Sequence, residues 1–344
     1  MSASTTSERV IRPARRIHGA VRCPGDKSIS HRALILGALA RGRTAIRGLA
    51  PGLDVRSTRS CLEALGVKIE AVPAMVEDDA GEPIAGELLL VDGRGFAGLR
   101  APAGPLDCGN SGTTTRLLAG VLAACDMEVV LAGDASLSRR PMGRVAEPLR
   151  LMGATIEPLV PGTGTGAGGK LTAPFRLRGT RRPKAIEYDL AVASAQVKSA
   201  ILLAGLRAEG RTTVREPSRS RDHTERMLRV FGVDVLEDGL AVSIEGPGEL
   251  DRAAIEVPAD LSSAAFFLAA AAGLPGSRVL CRGVGVNPGR TGILEALRDM
   301  GAKVVHGEVR EQGFEPVAEV VVEGPEKLRA ARISGALVPR AIDE

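Results

Sequence analysis

One short phrase recurs four times along the chain, and it constrains the fold more than any other sequence feature. The four copies are LEALGVKIE from Leu62, LRLMGATIE from Leu149, LRVFGVDVL from Leu228 and LRDMGAKVV from Leu297. Each copy reads as the end of an amphipathic helix, then a glycine, then the alternation of a strand. The glycine stands where a helix C-terminus favours a left-handed residue. We therefore predict four units of roughly 70–90 residues, each ending helix–glycine–strand.

Three further segments predict helices that are buried on nearly all sides. They are rich in alanine and leucine and run over Ser28–Ala40, Ser111–Ala124 and Ala193–Leu206. The 344 residues suggest about two domains, and 44% of them are hydrophobic, although only six Phe and one Tyr are aromatic. We expect an α/β protein with aliphatic helices packed together inside and sheets outside. Loops are predicted at Glu77–Pro83, Pro161–Gly169 and Glu311–Pro316, with domain crossings near His18–Gly19 and Gly246–Leu250.

Composition excludes several classes of function. A formal net charge of +4 and the scarcity of aromatic side chains argue against a nucleic-acid partner. Five dispersed cysteines without C-x-x-C spacing indicate reduced thiols in a cytoplasmic protein rather than a zinc site or a disulfide framework. The longest apolar run, Ala264 to Pro275, is too short to span a bilayer. The polar residues 1–9 lack the apolar segment of a signal peptide. We expect no metal, no cofactor and no membrane partner.

The first candidate site is PGDKSISHRALILGALARG, from Pro24 to Gly42. Lys27 and Arg32 place two cations at the start of a predicted helix, where the helix dipole already favours anions. Gly25 would allow a ligand to approach the backbone, as in a phosphate cradle. The segment is not a Walker A loop, because Asp26 separates Gly25 from Lys27. The alternative is an ordinary capped helix with solvated charges.

Two more polar turns follow. LDCGNSGTTTRLL, from Leu106, opens a helix with Asn110, Ser111 and Gly112, and GDASLSRRPMGR, from Gly133, supplies Arg139 and Arg140. Arginine forks suit the oxygens of carboxylates and phosphates. The alternatives are a polar N-cap cluster and a solvated basic turn.

Two later motifs also contain polar and cationic residues that suit an anionic ligand. VASAQVKSAILL places Ser194, Gln196 and Lys198 at the start of an otherwise apolar helix, where they predict a ligand-binding or capping role. EPSRSRDHTERML adds Arg219 and Arg221. We reject a Ser–His–Asp triad in that motif, because triads seldom come from adjacent residues. The formal G-x-G-x-x-G within Pro161–Gly169 is interpreted as a hairpin tip, since no helix follows it. Turned toward one cleft, these motifs predict a site for small, multiply anionic ligands.

The five motifs together resemble the 5-enolpyruvylshikimate-3-phosphate synthase family. The resemblance runs from about Ile17 to the last residue and implies a two-domain inside-out α/β barrel, the enolpyruvyl transferase fold, built from βαβαββ repeats. It implies transfer of the enolpyruvyl group of phosphoenolpyruvate to the 5-hydroxyl of shikimate-3-phosphate, with release of phosphate and without a metal. It also implies a monomer that acts in aromatic amino-acid biosynthesis.

The resemblance assigns roles by position. Lys27 would contact both substrates and take part in proton transfer, and Asp343 would be the proton acceptor. The residues implied to bind shikimate-3-phosphate are Ser28, Arg32, Ser194, Ala195, Gln196 and Arg221. Those implied to line the phosphoenolpyruvate pocket are Asn110, Gly112 and Arg140, with Gln196 nearby. Relatives that are insensitive to glyphosate can carry alanine at the position of Gly112. We therefore expect the complete enzyme to be sensitive to glyphosate.

The chain departs from the family in length. It shows four repeat signals where the family has six, so we expect a complete domain over 21–245 and an incomplete second domain made of 1–20 plus 246–344. Exposed apolar helix faces and little or no synthase activity of this chain alone are further expectations. The alternatives are a non-catalytic fragment that binds shikimate-3-phosphate, or a UDP-N-acetylglucosamine enolpyruvyl transferase. The second should show Lys-Asn in the first motif, whereas Lys27 is followed by Ser28.

Overall fold

A computed structural model describes residues 13–77, 83–159, 165–166 and 170–343 as a mixed α/β structure. Its helices are α1 Lys27–Leu39, α2 Leu53–Ala64, α3 Gly112–Ala123, α4 Gly143–Leu151, α5 Ala195–Gly205, α6 His223–Val230, α7 Leu261–Gly273, α8 Gly292–Asp299 and α9 Val338–Ala341. Its strands are β1 His18–Arg22, β2 Ala40–Arg47, β3 Lys68–Glu77, β4 Pro83–Arg94, β5 Leu106–Asp107, β6 Glu128–Ala132, β7 Thr155–Pro158, β8 Thr165–Gly166, β9 Lys170–Leu171, β10 Phe175–Arg178, β11 Glu187–Asp189, β12 Gly210–Arg215, β13 Val235–Asp238, β14 Ala241–Gly246, β15 Leu250–Asp251, β16 Ala254–Glu256, β17 Arg278–Gly285, β18 Lys303–His306, β19 Arg310–Gln312 and β20 Glu315–Glu323.

Four sheets share one topology, which confirms the four predicted units. The first contains β15 and β16 beside β2, then β4 and β3. The second has the order β5-β6-β10-β7, the third β11-β12-β14-β13, and the fourth β1-β17-β20-β18 with β19 on β20. In each sheet the pairing at the first edge is parallel and the later ones are antiparallel; β15 and β16 share the parallel edge of the first sheet, and β19 adds a third antiparallel pairing to the fourth. This is the pattern of a βαβαββ repeat. The four sheets are separate within the described residues and do not close into a barrel.

The recurring phrase has the predicted structure in all four units. Gly66, Gly153, Gly232 and Gly301 have φ of +90°, +108°, +86° and +97°, in the region that only glycine adopts at little cost. The N–H of the residue after each glycine donates to the carbonyl of the first leucine of the phrase, at 2.9–3.0 Å. This bond ends the helix and turns the chain into the following strand.

The chain passes twice between the fourth sheet and the first three. After β1, which pairs with β17, it continues through 23–26 into α1, and it returns through 257–260 into α7. The two segments bind each other: Asp26 N donates to Pro258 O at 2.8 Å, and Asp260 N donates to Pro24 O at 2.9 Å. The predicted division into 21–245 and 1–20 plus 246–344 stays a prediction. The structure adds that β15 and β16, within 250–256, pair with β2 in the first sheet.

Helices lie inside and sheets outside, as the apolar segments predicted. Helices α1, α3 and α5 are buried along nearly their whole length and begin and end within two residues of the predicted bounds. Strands such as β10 alternate buried and exposed residues, so one sheet face covers the helices and the other faces solvent. Helix α7 differs, because Phe266 is 78% exposed. An exposed apolar helix face was among the expectations.

The three predicted loops have different outcomes. The loop predicted over Glu311–Pro316 is wrong: β19 and β20 pair as a hairpin across a tight turn at Gly313. Most of Glu77–Pro83 and Pro161–Gly169 lies outside the described residues. Of the second, β8 pairs antiparallel with β9, as expected of a hairpin rather than a dinucleotide-binding turn. Among the helices of the described ranges, none has the length and apolar character that a bilayer span needs.

A buried chain of polar side chains joins helices α1, α2 and α3. His31 Nδ1 lies 2.6 Å from Thr58 Oγ1, which lies 2.7 Å from Thr114 Oγ1. Thr114 in turn donates to Ser111 Oγ at 2.7 Å. Burial lowers the pKa of His31 from 6.5 to about 3, and the charges of Arg32 and Lys27 add to the shift. His31 is therefore a neutral core residue at physiological pH.

The close packing of α3 and α5 yields a first prediction. A Cβ on Gly120 would lie 2.4 Å from the carbonyl oxygen of Ala200, so backbone meets backbone there. We expect Gly120→Ala to lower the free energy of unfolding by about 1–3 kcal/mol through overpacking. Gly273→Ala is the control, because a Cβ there meets nothing within 4 Å. It should be neutral or stabilising by up to about 1 kcal/mol. Equal losses in the two variants, in urea unfolding, would contradict the packing argument.

The shifted pKa of His31 yields a second prediction. The unfolded chain binds a proton as pH falls below 6.5, whereas the folded protein resists it down to about pH 3. The contribution of His31 to stability is therefore complete above pH 6.5 and is lost as pH falls toward 3. Between pH 7.5 and 5 the loss from this group should be about 2 kcal/mol.

Urea unfolding of His31→Asn at pH 7.5 and pH 5 measures this loss of stability. This variant should lose less stability on acidification than the unmodified protein by that amount. His306→Asn, at an exposed position, is the control and should follow the unmodified protein. Equal pH dependence of all three proteins would contradict the prediction.

Candidate active site

Three helices begin in polar turns that satisfy their first N–H groups. Asp26 Oδ1 accepts from Ile29 N at 2.8 Å, and Ser111 Oγ accepts from Thr114 N at 3.0 Å. Ser194 Oγ accepts from Val197 N at 3.4 Å. These caps fix where α1, α3 and α5 start. Each start carries the partial positive charge of a helix N-terminus, which favours an anion.

A cavity of about 600 Å³ lies against the starts of α1 and α5. Its wall is completed by the 217–221 loop and by the segment 335–343, which includes α9. The predicted site residues that line it are Ser28, Arg32, Ser194, Ala195, Gln196, Arg221 and Asp343. Its volume suits a small metabolite. Residues distant in sequence thus meet around one space.

Arg32 is the most buried charge of the cavity wall, with 4% of its surface exposed. Its guanidinium donates to Thr224 Oγ1 at 2.6 Å, to Ser199 Oγ at 2.9 Å and to Ser28 O at 2.9 Å. Burial lowers the pKa of Arg32 to about 10, against the opposing charge of Glu225. The group therefore stays cationic at neutral pH. Its hydrogen bonds hold it in one orientation at the cavity.

Arg221 and Asp343 form an ion pair at the cavity mouth. Arg221 Nη2 lies 2.5 Å from Asp343 Oδ2, and 60% of the Asp343 side chain is exposed. The Arg221 side chain is 18% exposed, so the pair is partly open to solvent through Asp343, and ion pairs screened by water contribute about 1 kcal/mol or less. A ligand phosphate could therefore compete with Asp343 for the guanidinium at small cost.

A second cluster forms at the start of α3. Arg140 donates to Asn110 Oδ1, and Asn110 Nδ2 donates to Asp134 Oδ2 at 2.7 Å. Gly112, the first residue of α3, lies beside them: a Cβ there would come within 3.5 Å of Arg140 Nη1. The predicted phosphoenolpyruvate residues are therefore neighbours in the structure.

Arg116 joins the two clusters and is not among the site residues predicted from the sequence. Its Nη1 donates to Gln196 Oε1 at 2.8 Å, and Gln196 Nε2 donates to Thr113 Oγ1 at 2.9 Å. Burial lowers the pKa of Arg116, and the nearby Arg140 and Arg144 add to the effect. The available signal was the spacing of four residues from Gly112, which places both on one helix face.

Lys27 lies next to this cavity in the chain but does not line it. Its Nζ is 3.2 Å from Asp54 Oδ2 at the start of α2, and 53% of its side chain is exposed. Sequence reasoning did not find Asp54. The ammonium group is therefore held at the solvent-facing edge of the α1 start.

Lys198 does not serve as a ligand group. Its Nζ lies 2.6 Å from both Glu216 Oε2 and Glu225 Oε1, and all three side chains are buried. Burial acts to lower the pKa of Lys198, but the two carboxylates outweigh it and raise the pKa. Ser220 Oγ also donates to Glu216. The triad thus fixes the loop that carries Arg221 against α5 and α6.

Asp222, His223 and Glu315 place ligand atoms within 4.8 Å of one another, as in some metal sites. Both carboxylates and His223 Nδ1 already have protein partners, whereas His223 Nε2 is buried without one. His223 Nδ1 lies 2.6 Å from Glu315 Oε1, and Asn287 Nδ2 donates to Asp222 Oδ1 at 2.7 Å. Arg226 also donates to Asp222 at 2.8 Å. We interpret the cluster as a hydrogen-bond network. His223 pairs with Glu315 rather than with a serine. This agrees with the rejection of a Ser–His–Asp triad.

A larger cavity, of about 700 Å³, lies behind α2. It is bordered by Arg22, Arg47, Arg56 and Arg59, and by Glu87 and Glu256. Of the candidate site residues named from the sequence it contains Gly25, but a Cβ there would lie 1.8 Å from Gly48 O, so Gly25 packs against backbone. We therefore place the candidate active site in the smaller cavity.

Comparison with known proteins agrees with this geometry. A family model described as EPSP synthase (3-phosphoshikimate 1-carboxyvinyltransferase) matches residues 11–339. A 3-phosphoshikimate 1-carboxyvinyltransferase of Alkalilimnicola ehrlichii is 51% identical over 334 residues, which are 97% of this chain and 70% of the relative. One from Geobacillus kaustophilus is 50% identical over 95% of this chain and 71% of the relative.

The solved structures lead to the same family. An EPSP synthase from Acinetobacter baumannii is similar with a TM-score of 0.80 and 45% sequence identity. The similarity covers 95% of this chain and 70% of that one. The chain thus spans about 70% of the length of the relatives it matches. On the family match, the sequence identity and the shared fold, the chain belongs to the EPSP synthase family.

Proposed function

We propose that this protein transfers the enolpyruvyl group of phosphoenolpyruvate to the 5-hydroxyl of shikimate-3-phosphate and releases phosphate. One observation carries the proposal. Around a single cavity of about 600 Å³, the structure assembles two arginines and the starts of two buried helices. Small anions are the ligands that such a set of donors recognises.

Shikimate-3-phosphate carries a phosphate and a carboxylate, and the cavity offers a donor group for each. Arg221, whose guanidinium faces the cavity mouth, suits one anion, while Arg32 lies at the wall beside Ser28. Ser194 and Ala195 add a hydroxyl and the backbone at the start of α5. Because Arg32 is fixed by three hydrogen bonds, little reorganisation is needed when the ligand binds.

Phosphoenolpyruvate would occupy the neighbouring cluster around Asn110, Gly112 and Arg140. The link from Arg116 through Gln196 supports this arrangement, because Gln196 also lines the shikimate-3-phosphate cavity. The two substrates would then meet near the amide of Gln196. Holding both in place converts a bimolecular encounter into a step within one complex.

The reaction needs a proton donor and a proton acceptor. The 5-hydroxyl adds to C2 of phosphoenolpyruvate and loses its proton, while C3 gains one. Phosphate then leaves C2 as C3 gives up a proton, which restores the vinyl group. Asp343 faces the cavity as the acceptor for the hydroxyl proton, and Lys27 is the candidate for proton transfer at C3. The surrounding arginines stabilise the negative charge that develops on the leaving phosphate.

Binding of shikimate-3-phosphate tests the proposal, with Arg221 as the probe. We expect titration calorimetry to show binding to the unmodified chain and at least about tenfold weaker binding to Arg221→Gln, since a bond to a charged group contributes about 1.5–3 kcal/mol. Arg219→Gln is the matched control from the same loop, because Arg219 lies outside the cavity and donates to Gly239 O. It should bind within twofold of the unmodified chain.

Absence of binding to the unmodified chain, or equal affinities of the two variants, would overturn the proposal. Phosphate release with both substrates measures turnover. Little or no turnover by this chain alone stays a prediction.

Gly112 allows the phosphoenolpyruvate assignment to be tested separately. A Cβ at this position would lie 2.6 Å from Arg116 Nη1, so the guanidinium must move. We expect Gly112→Ala to weaken phosphoenolpyruvate binding, titrated in the presence of shikimate-3-phosphate, by about tenfold. Affinity for shikimate-3-phosphate alone should change by less than about threefold.

Gly143→Ala is the control, because Gly143 is also the first residue of a helix and a Cβ there meets nothing within 4 Å. A Gly112→Ala variant that binds phosphoenolpyruvate as tightly as Gly143→Ala would place that substrate elsewhere.

A further inference from the structure

We propose that the turn 287–290, between β17 and α8, positions three groups of the active site relative to one another. The inference rests on the function proposed above. Arg290 and Asn287 are its positioning residues. No residue of the turn lines the cavity of about 600 Å³. The turn would act through residues next to Lys27, Arg221 and Asp343 in the chain.

Arg290 ties together the two segments by which the chain passes between sheets. It is 4% exposed and donates to the carboxylate of Asp26 through Nη1 and to Asp260 Oδ1 through Nη2, the second at 3.0 Å. Its Nη2 also donates to Ser262 Oγ at 2.6 Å. Asp26 caps α1 directly before Lys27, and Asp260 caps α7. One guanidinium therefore links the starts of α1 and α7.

The pair of carboxylates, Asp26 and Asp260, needs a cation with N–H donors on two separate nitrogens. Two buried carboxylates that approach each other repel unless a positive charge lies between them. A guanidinium satisfies both through separate N–H groups, whereas an ammonium on a flexible stem provides the charge without the planar fork. The backbone bonds between 23–26 and 257–260 keep the carboxylates in place on either side of Arg290. Arg290 thus fixes the direction in which α1 presents Lys27.

Asn287 holds Asp222, the residue that follows Arg221 in the chain. Its Nδ2 donates to Asp222 Oδ1 at 2.7 Å and to Glu315 Oε2 at 2.9 Å. Burial acts to raise the pKa of Asp222, but the bond from Asn287 and the charge of Arg226 outweigh it and lower the pKa. Asp222 is therefore an anion held by the turn, directly after Arg221.

We call the contacts of the turn with Asp26, with Asp222 and with α9 its three anchors. The third anchor, to α9, holds the segment that carries Asp343. Arg340 in α9 donates to Pro288 O at 2.7 Å and to Thr291 Oγ1 at 3.0 Å. It also pairs with Glu295 in α8. Asp343 follows three residues later. Within the turn, Arg290 N donates to Asn287 O at 2.8 Å, so the three anchors share one short piece of backbone.

The test uses the full chain with three variants. Arg290→Lys keeps the charge and removes the fork, and Asn287→Ala removes the donor to Asp222. Arg298→Lys is the matched control, because Arg298 lies in α8 and donates to Val304 O, away from the anchors. Amide hydrogen exchange and calorimetric binding of shikimate-3-phosphate are measured on each. Far-UV circular dichroism confirms that each variant is folded.

We expect Arg290→Lys to speed exchange of the Asp26 and Ile29 amides at least about tenfold and to weaken shikimate-3-phosphate binding at least about fivefold. Asn287→Ala should speed exchange of the Arg226 amide, which donates to Asp222 O, and weaken binding similarly. Arg298→Lys should change neither quantity by more than twofold.

Two results would overturn the positioning role. One is unchanged exchange at these amides in both variants. The other is faster exchange with binding within twofold of the unmodified chain, which would make the turn a structural tie only. Should Arg290→Lys fail to fold, Asn287→Ala alone decides between these outcomes. If the unmodified chain does not bind shikimate-3-phosphate, the proposed function fails, and the exchange pattern still decides whether the turn holds its anchors.

Discussion

The close contact between helices α3 and α5 is the constraint on which the site depends. At Gly120 the two backbones approach too closely for any side chain, and the surrounding residues are small or aliphatic. The starts of the two helices also lie together, because Gln196 of α5 accepts from Arg116 and donates to Thr113 in α3. Since the first N–H groups of a helix carry partial positive charge, converging starts create an anion-binding face.

Charge balance makes that face compatible with a packed interior. A buried cation is costly unless a partner compensates it. Arg32 and Lys198 are both buried near the starts of α1 and α5. Lys198 lies 2.6 Å from Glu216 and from Glu225, and the negative charge of Glu225 also acts on Arg32. The same glutamates fix the loop before Arg221, so the groups that make burial tolerable also shape the cavity.

Much of this arrangement could be predicted from sequence because it is local. The helix-ending glycines, the capped helix starts and the four units all depend on residues within a few positions of one another. The missed features depend on long-range contacts. Asp54 beside Lys27, Arg116 beside Gln196 and the pairing of β15 and β16 with β2 join residues that no periodicity relates. The β19–β20 hairpin was missed because its polar sequence is typical of a loop.

The central claim is that the starts of α1 and α5, with Arg32 and Arg221, form the binding site for shikimate-3-phosphate. A crystal structure of the chain with this ligand tests it most directly. We expect the ligand in the cavity of about 600 Å³, with one of its anionic groups within hydrogen-bond distance of Arg221 and the start of α5 close by. A ligand found instead among Arg22, Arg47 and Arg56, in the larger cavity behind α2, would contradict the account.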